Sequence, residues 1–309
     1  MEYLLLILGI VVLLIGGECL VRSAVGLNMK FKLSPLLIGT TVVSFGTSAP
    51  ELIVSVNAVL DGNSQIAVGN VIGSNVANIG LVLGITVLFR TVLISRSKYL
   101  WSWSLMLFAS LIFLIFSLDF EISQIEGILL LIGLIVFIFL SIRREYKSDK
   151  HDYIEGVNHK KISSLSIFVY FILGGLGLWY GSELLVDNAI VIAQNIGVSD
   201  FIIAISVVAL GTSLPELVTS IIAMSKGENS ISIGNLIGSN IFNIFAVLGV
   251  SSVLNPLMID GFLIQIDIPI MIGFAVMVGL FMFLGKRMGP IEGIALLSAY
   301  IAYIAFGFL

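Results

Sequence analysis

Apolar residues fill this chain in runs long enough to cross a bilayer, separated by short polar punctuation. Ten spans are predicted, at 3–26, 34–60, 65–89, 99–117, 124–142, 164–193, 199–225, 230–254, 262–284 and 290–308. The longest polar interval runs from Arg143 to Lys161 and holds Arg144, Glu145, Lys147, Asp149, Lys150, Asp152, Glu155, Lys160 and Lys161. It divides the chain into a first five-helix repeat (1–142), a linker loop (143–163) and a second five-helix repeat (164–309), together one integral transport domain.

The two halves repeat each other. Gly46-Thr47-Ser48-Ala49-Pro50-Glu51-Leu52 returns as Gly211-Thr212-Ser213-Leu214-Pro215-Glu216-Leu217, at a constant offset (216 − 51 = 165). Gly69-Asn70-Val71-Ile72-Gly73-Ser74-Asn75-Val76-Ala77-Asn78 matches Gly234-Asn235-Leu236-Ile237-Gly238-Ser239-Asn240-Ile241-Phe242-Asn243, and Gly16-Gly17-Glu18 matches Gly181-Ser182-Glu183. Glu51 falls in the second span and Glu216 in the seventh. An odd number of crossings separates them, so the two copies are expected to insert in opposite directions. The predicted fold is therefore an all-α polytopic membrane protein with ten transmembrane helices in two inverted-topology repeats of five. Such repeats place a binding site near the membrane midplane and support alternating access.

Composition agrees and narrows the classes. Of 309 residues, 58% are hydrophobic and 11% charged, and mean hydropathy is +1.14. With a net charge of −4 and no basic face, nucleic-acid binding is excluded as a reading. A lone Cys19 cannot form an intramolecular disulfide and reads as a small buried thiol. The first span lacks a basic leader and a small-residue cleavage site, so it is expected to be retained. With the N-terminus outside, all 15 Lys and Arg fall on one side: Arg22, Lys30, Lys32, Arg90, Arg96, Lys98, the central loop, Lys226, Lys286 and Arg287. The other side holds Asp61, Asp119, Glu121, Asp200, Asp260 and Asp267. The positive-inside rule then puts both termini extracytoplasmic and the central loop cytoplasmic, in a multi-pass protein of the cell (plasma or inner) membrane. Trp101 and Trp103 read as interfacial anchors.

The repeated motifs carry the candidate chemistry. Pro50 has no N–H and displaces the carbonyl of Gly46, and Pro215 does the same to Gly211, so these four residues mark helix breaks. Carbonyls freed around residues 44–47 and 209–212 cannot turn to water inside the membrane and need protein donors or a bound cation. The hydroxyls of Thr47, Ser48, Thr212 and Ser213 add neutral oxygens, and Glu51 and Glu216 add negative charge. Acidic side chains at membrane depth are rare and usually functional. Ser74 and Asn78, like Ser239 and Asn243, lie four residues apart on one helical face. Gly69, Gly73, Gly234 and Gly238 would let those faces approach the broken helices, although such glycines also serve plain helix packing. Almost pure oxygen donors suit Ca²⁺ and Na⁺. Zinc, copper or iron would want His or Cys, and His151 and His159 both lie in the loop. Outside the motifs, Glu18 can pair with Arg22 four residues on, and a structural or vestibule role is expected for it and for Glu183; Asp149, His151 and Asp152 read as a solvated connector.

At these motifs the chain closely resembles the cation/Ca²⁺ exchanger superfamily, specifically prokaryotic sodium/calcium exchangers (calcium/sodium antiporters), over essentially its full length. The resemblance implies Na⁺-driven Ca²⁺ antiport. It makes Glu51 and Glu216 the principal Ca²⁺ carboxylates, helped by the carbonyls of Thr47 and Thr212. Na⁺ sites would share those four residues and add Ser48, Ser74, Ser213 and Ser239 with the carbonyls of Ser44 and Ala209. Asn78 and Asn243 would lie at the site centre. Spans one and six would slide as a gating pair. Many such exchangers carry Asp where Asn243 stands; here both centre positions are Asn, so the fixed charge is −2 when both glutamates ionise. That charge matches one Ca²⁺ or two Na⁺, and a third Na⁺ would leave a costly excess.

The expected function is thus a secondary transporter rather than an enzyme: Na⁺/Ca²⁺ antiport, with no cofactor, the lipid bilayer and the two ions as partners, and a monomer as the working unit. The runner-up is an H⁺/Ca²⁺ exchanger using the same glutamates, because two carboxylates sharing a site repel and make a proton a credible competitor. A cation channel would place ligands in rings around an axis. An intramembrane serine protease would want a His or Lys base beside its serine, and none is predicted at membrane depth.

Overall fold

The computed structural model describes residues 1–147, 163–196 and 211–306. Among them, seven helices are long and apolar enough to cross a membrane, and eight when the bent pair Pro35–Thr47 and Ala49–Leu60 counts as one span. The bend between that pair is 44°. Two shorter apolar helices, Leu214–Ser225 and Pro290–Phe306, stand where the seventh and tenth segments are expected. Residues 199–210 of the expected seventh span lie outside the described residues.

Helix ends overrun the hydropathy limits. Glu2–Phe31 continues beyond residue 26, and Gln124–Lys147 continues beyond 142 through Arg143, Arg144 and Glu145. Charged residues leave the apolar phase but are good helix formers, so the helix outlasts the span. The protein is not purely helical either. Val92–Leu93 pairs antiparallel with Arg287–Met288, and Glu121–Ile122 with Leu257–Met258. Two-residue strands leave no alternation for a sequence pattern to show.

The chain packs into two compact units, each drawn from both halves of the sequence: Met1–Ala49 with Ile142–Asn235, and Pro50–Ser141 with Leu236–Leu309.

In the first unit, Glu2–Phe31 and Ser164–Asn195 meet along glycines. A Cβ at Gly16 would sit 2.6 Å from the Leu178 nitrogen, and one at Gly181 would sit 2.5 Å from that of Leu13. Lipid gives helices no hydrophobic reason to associate, so small residues that admit backbone contact decide where they pack. Leu13, Leu20, Val21, Ile38, Val43 and Leu178 form the apolar core around this seam. Glu18 accepts from Arg22 Nε and Lys226 Nζ, both at 2.6 Å, so the expected pair with Arg22 is made and a second cation joins it. Ser34 caps the helix that starts at Pro35, and its own N–H and hydroxyl donate to Glu145 at 2.7 and 2.8 Å.

In the second unit, the span Ser64–Phe89 widens from α to π geometry at Asn78–Leu83, and the part of the span Asn229–Leu254 that belongs to this unit does so at Asn243–Leu248. The π segments are again 165 residues apart (243 − 78 = 165). Trp103 donates its indole N–H to the Ala275 carbonyl at 2.7 Å and lies against Gly279. Asp267 is buried and accepts the Tyr303 hydroxyl at 3.0 Å.

Candidate functional site

Each unit contains one buried polar set built from the repeated motifs. In the first unit, Ser44, Thr47, Ser48, Ser213, Glu216 and Asn235 are fully or almost fully buried, and Thr212 is half-buried. The first motif remains helical to Thr47, and the Ser48 N–H still reaches the Ser44 carbonyl at 2.9 Å. The helix breaks at Ser48 and restarts at Ala49, with Pro50 tolerated in the new first turn. The second motif breaks across Thr212 and Ser213 and restarts at Leu214, with Pro215 in the equivalent place. Ser48 Oγ donates to Glu216 Oε1 at 3.1 Å. A hydroxyl of the first motif thus meets the carboxylate of the second. Thr47 Oγ1 lies 3.0 Å from Asn235 Oδ1 and 3.3 Å from the Ser44 carbonyl. The Ser213 hydroxyl is buried with no partner among the described residues.

Besides the Ser44 carbonyl, a second carbonyl expected to be open is taken. Pro215 frees the carbonyl of Gly211, and the Ser182 hydroxyl fills it at 2.7 Å. The position matching Ser182 in the first half is Gly17, which has no hydroxyl to offer Gly46. Gly46 itself faces Leu20 and Phe171. Gly234 makes the close approach predicted for it: its Cβ position is 2.8 Å from the Leu36 carbonyl and 3.1 Å from the Gly39 Cα. Gly69 and Gly73 have nothing within 4 Å among the described residues.

In the second unit, Glu51, Ser55, Ser74, Asn75, Asn78, Ser239, Asn240 and Asn243 are all buried. Asn70 Nδ2 reaches the Glu51 carbonyl at 3.2 Å and Ser55 Oγ at 2.9 Å, so it ties the helix after the first break to the next one. Asn78 Nδ2 donates to Asn240 Oδ1, and Asn243 Nδ2 to Asn75 Oδ1, both at 3.1 Å. The Oδ1 atoms of Asn78 and Asn243 and the Ser74 hydroxyl are buried with no partner among the described residues.

The structure therefore distributes the predicted residues. Ser44, Gly46, Thr47, Ser48, Gly211, Thr212, Ser213, Pro215 and Glu216 belong to the first unit, and Pro50, Glu51, Ser74, Asn78, Ser239 and Asn243 to the second. Ala209 lies outside the described residues. Sequence reasoning passed over Asn75, Asn235, Asn240 and Ser182. The signal was present: the first three stand inside the repeated blocks, and Ser182 is the one change within a repeated triplet. Among the described residues no three His, Cys, Asp or Glu side chains cluster, and the sets named above contain Glu216 and Glu51 respectively among hydroxyls and amides. That donor chemistry suits a hard cation.

Comparison with known proteins points the same way. The chain is 31% identical over 351 residues to the sodium/calcium exchanger MaX1 of Methanosarcina acetivorans, an alignment that covers 98% of this chain and 97% of that one. It is 32% identical over 309 residues to the inner membrane protein YrbG of Escherichia coli, covering 97% and 95%. Its fold is similar to the solved structure of the sodium/calcium exchanger from Methanococcus jannaschii, with a TM-score of 0.83, 30% identity and coverage of 98% and 97%. The sodium/calcium exchanger protein family matches residues 1–143 and 166–309. With nearly its whole length matched, the chain belongs to the sodium/calcium exchanger family.

Proposed function

We propose that this multi-pass membrane protein, a secondary transporter rather than an enzyme, exchanges Na⁺ for Ca²⁺ by alternating access at a midplane site. The observation that carries the proposal is the hydrogen bond from Ser48 to Glu216, which joins a hydroxyl of one repeat to the buried carboxylate of the other. Burying a carboxylate is costly unless its charge is compensated, and exchanging the compensating cations is the simplest use of such a group. In this reading Glu51 and Glu216 bind Ca²⁺ with the carbonyls of Thr47 and Thr212. Ser44, Ser48, Ser74, Ala209, Ser213 and Ser239 complete Na⁺ coordination, and Asn78 and Asn243 lie at the centre.

The same proposal includes ten spans in two inverted repeats joined by a cytoplasmic linker, both termini extracytoplasmic, and a working monomer. Its support is the recurrence of the offset of 165 in the motifs and in both π segments. The glycine seam between Glu2–Phe31 and Ser164–Asn195 supports the sliding pair. The names of the Methanosarcina and Methanococcus relatives support the ion pair.

The test is reconstituted protein in vesicles loaded with ⁴⁵Ca²⁺, with Na⁺, K⁺ and pH varied separately. An external Na⁺ pulse should drive efflux, and Glu51→Gln or Glu216→Gln should abolish it while leaving folded protein. Efflux indifferent to Na⁺ but driven by a pH step would establish H⁺/Ca²⁺ exchange instead. Normal transport by either Gln variant would remove that glutamate from the site.

A further inference from the structure

Two asparagines with no role in the reading above form a reciprocal lock in the second unit. Asn75 Nδ2 donates to the Asn240 backbone carbonyl at 3.3 Å, and Asn240 Nδ2 donates to that of Asn75 at 3.3 Å. The second proton of each amide points at a thioether: Asn75 at Met271 Sδ and Asn240 at Met106 Sδ, both at 3.6 Å. The methionines obey the repeat as well (271 − 106 = 165). All four asparagines are essentially inaccessible to solvent.

This arrangement has a direction. An Asn side chain can be turned over, exchanging its oxygen and NH₂ faces, unless its neighbours forbid it. Backbone carbonyls and thioethers only accept, so Asn75 and Asn240 must face them with Nδ2. Their Oδ1 atoms are then committed to the opposite side, where Asn243 and Asn78 must each donate Nδ2 at 3.1 Å. That in turn leaves Asn78 and Asn243 presenting Oδ1, the two buried atoms with no partner among the described residues. Turning either centre amide over would set oxygen against oxygen and offer NH₂ where a cation needs an acceptor.

We infer that Asn75 and Asn240 are positioning residues for ion binding: they relay the polarity of two backbone carbonyls to Asn243 and Asn78 and hold those amides oxygen-outward. The inference rests on the reading that Asn78 and Asn243 offer oxygens to the ions. The lock lies beside the start of each π segment, a geometry frequent at functional sites.

The test is a double-mutant cycle on apparent Ca²⁺ affinity, read from the Ca²⁺-dependent rise in unfolding midpoint of the purified full chain. Asn75→Ala should weaken Ca²⁺ binding about tenfold, the size of one mis-set buried hydrogen bond. Asn243→Ala should weaken it at least as much, and the double variant should be no worse than Asn243→Ala alone. The mirror pair Asn240→Ala and Asn78→Ala should behave alike. Unchanged affinity in Asn243→Ala and Asn78→Ala would overturn the underlying reading of the centre. Weakened binding there, with Asn75→Ala and Asn240→Ala silent or strictly additive, would overturn the relay. Should Asn75→Ala not fold, the volume-preserving Asn75→Leu replaces it. Loss of the fold in every Asn75 and Asn240 variant would show a structural role instead.

Discussion

Ser182 shows how one side chain separates two nearly identical motifs. Proline removes a helical hydrogen bond in both motifs, and in the second half the Ser182 hydroxyl replaces it, 2.7 Å from the Gly211 carbonyl. The first half has Gly17 there. Carbonyls inside a membrane have no water to fall back on, so the substitution Ser182→Ala should be felt. We expect it to cost about 1–3 kcal/mol, the usual penalty for a buried group left unsatisfied. The check is the thermal midpoint in detergent, and a midpoint equal to wild type would mean that the Gly211 carbonyl finds another donor.

At the level of elements, packing here is decided by where backbones can touch. A Cβ at Gly181 would fall 2.5 Å from a backbone nitrogen, which cannot step aside as a flexible side-chain tip can. Gly181→Leu should therefore destabilise the protein by about 1–3 kcal/mol or more. Gly273 lies in the helix Ile268–Leu284 with nothing within 4 Å of its Cβ position among the described residues. Gly273→Ala should be neutral or stabilising by about 0.5–1 kcal/mol through helix propensity. Detergent melts of the two variants check both, and equal midpoints would contradict the seam. Hydropathy showed that both helices exist, but it could not tell which of the many glycines are contacts. Sequence spacing is the same for a glycine against a backbone and for one facing open space.

For the molecule as a whole, the proposed orientation makes a prediction that needs no transport assay. In a Cys19→Ser background, Asp119→Cys should react with a membrane-impermeant maleimide on intact cells. Lys286→Cys should react only after permeabilisation. Both residues are exposed, so access depends on the side of the membrane and not on burial. The reverse pattern would invert the topology. Compact packing also groups the chain in a way the repeats do not announce: each unit takes helices from both halves. Asp267 and Trp103 illustrate the difficulty. Position near a span end suggested a side of the membrane for each, but not the partner each finds on a neighbouring helix, Tyr303 for Asp267 and Ala275 for Trp103.

The sequence by itself determined the membrane class, the boundaries of most helices, the duplicated motifs and the oxygen-rich donor set. Those follow from composition and periodicity, which are local properties written along the chain. Tertiary structure alone decided that Ser48 meets Glu216, that Ser182 closes the Gly211 carbonyl, and that Asn75 and Asn240 lock each other's backbones. The first and third join residues more than 160 positions apart, and the second joins residues 29 positions apart. Hydrogen bonds have direction and a reach of about 3 Å, so partners at such separations are fixed only when helices are in place.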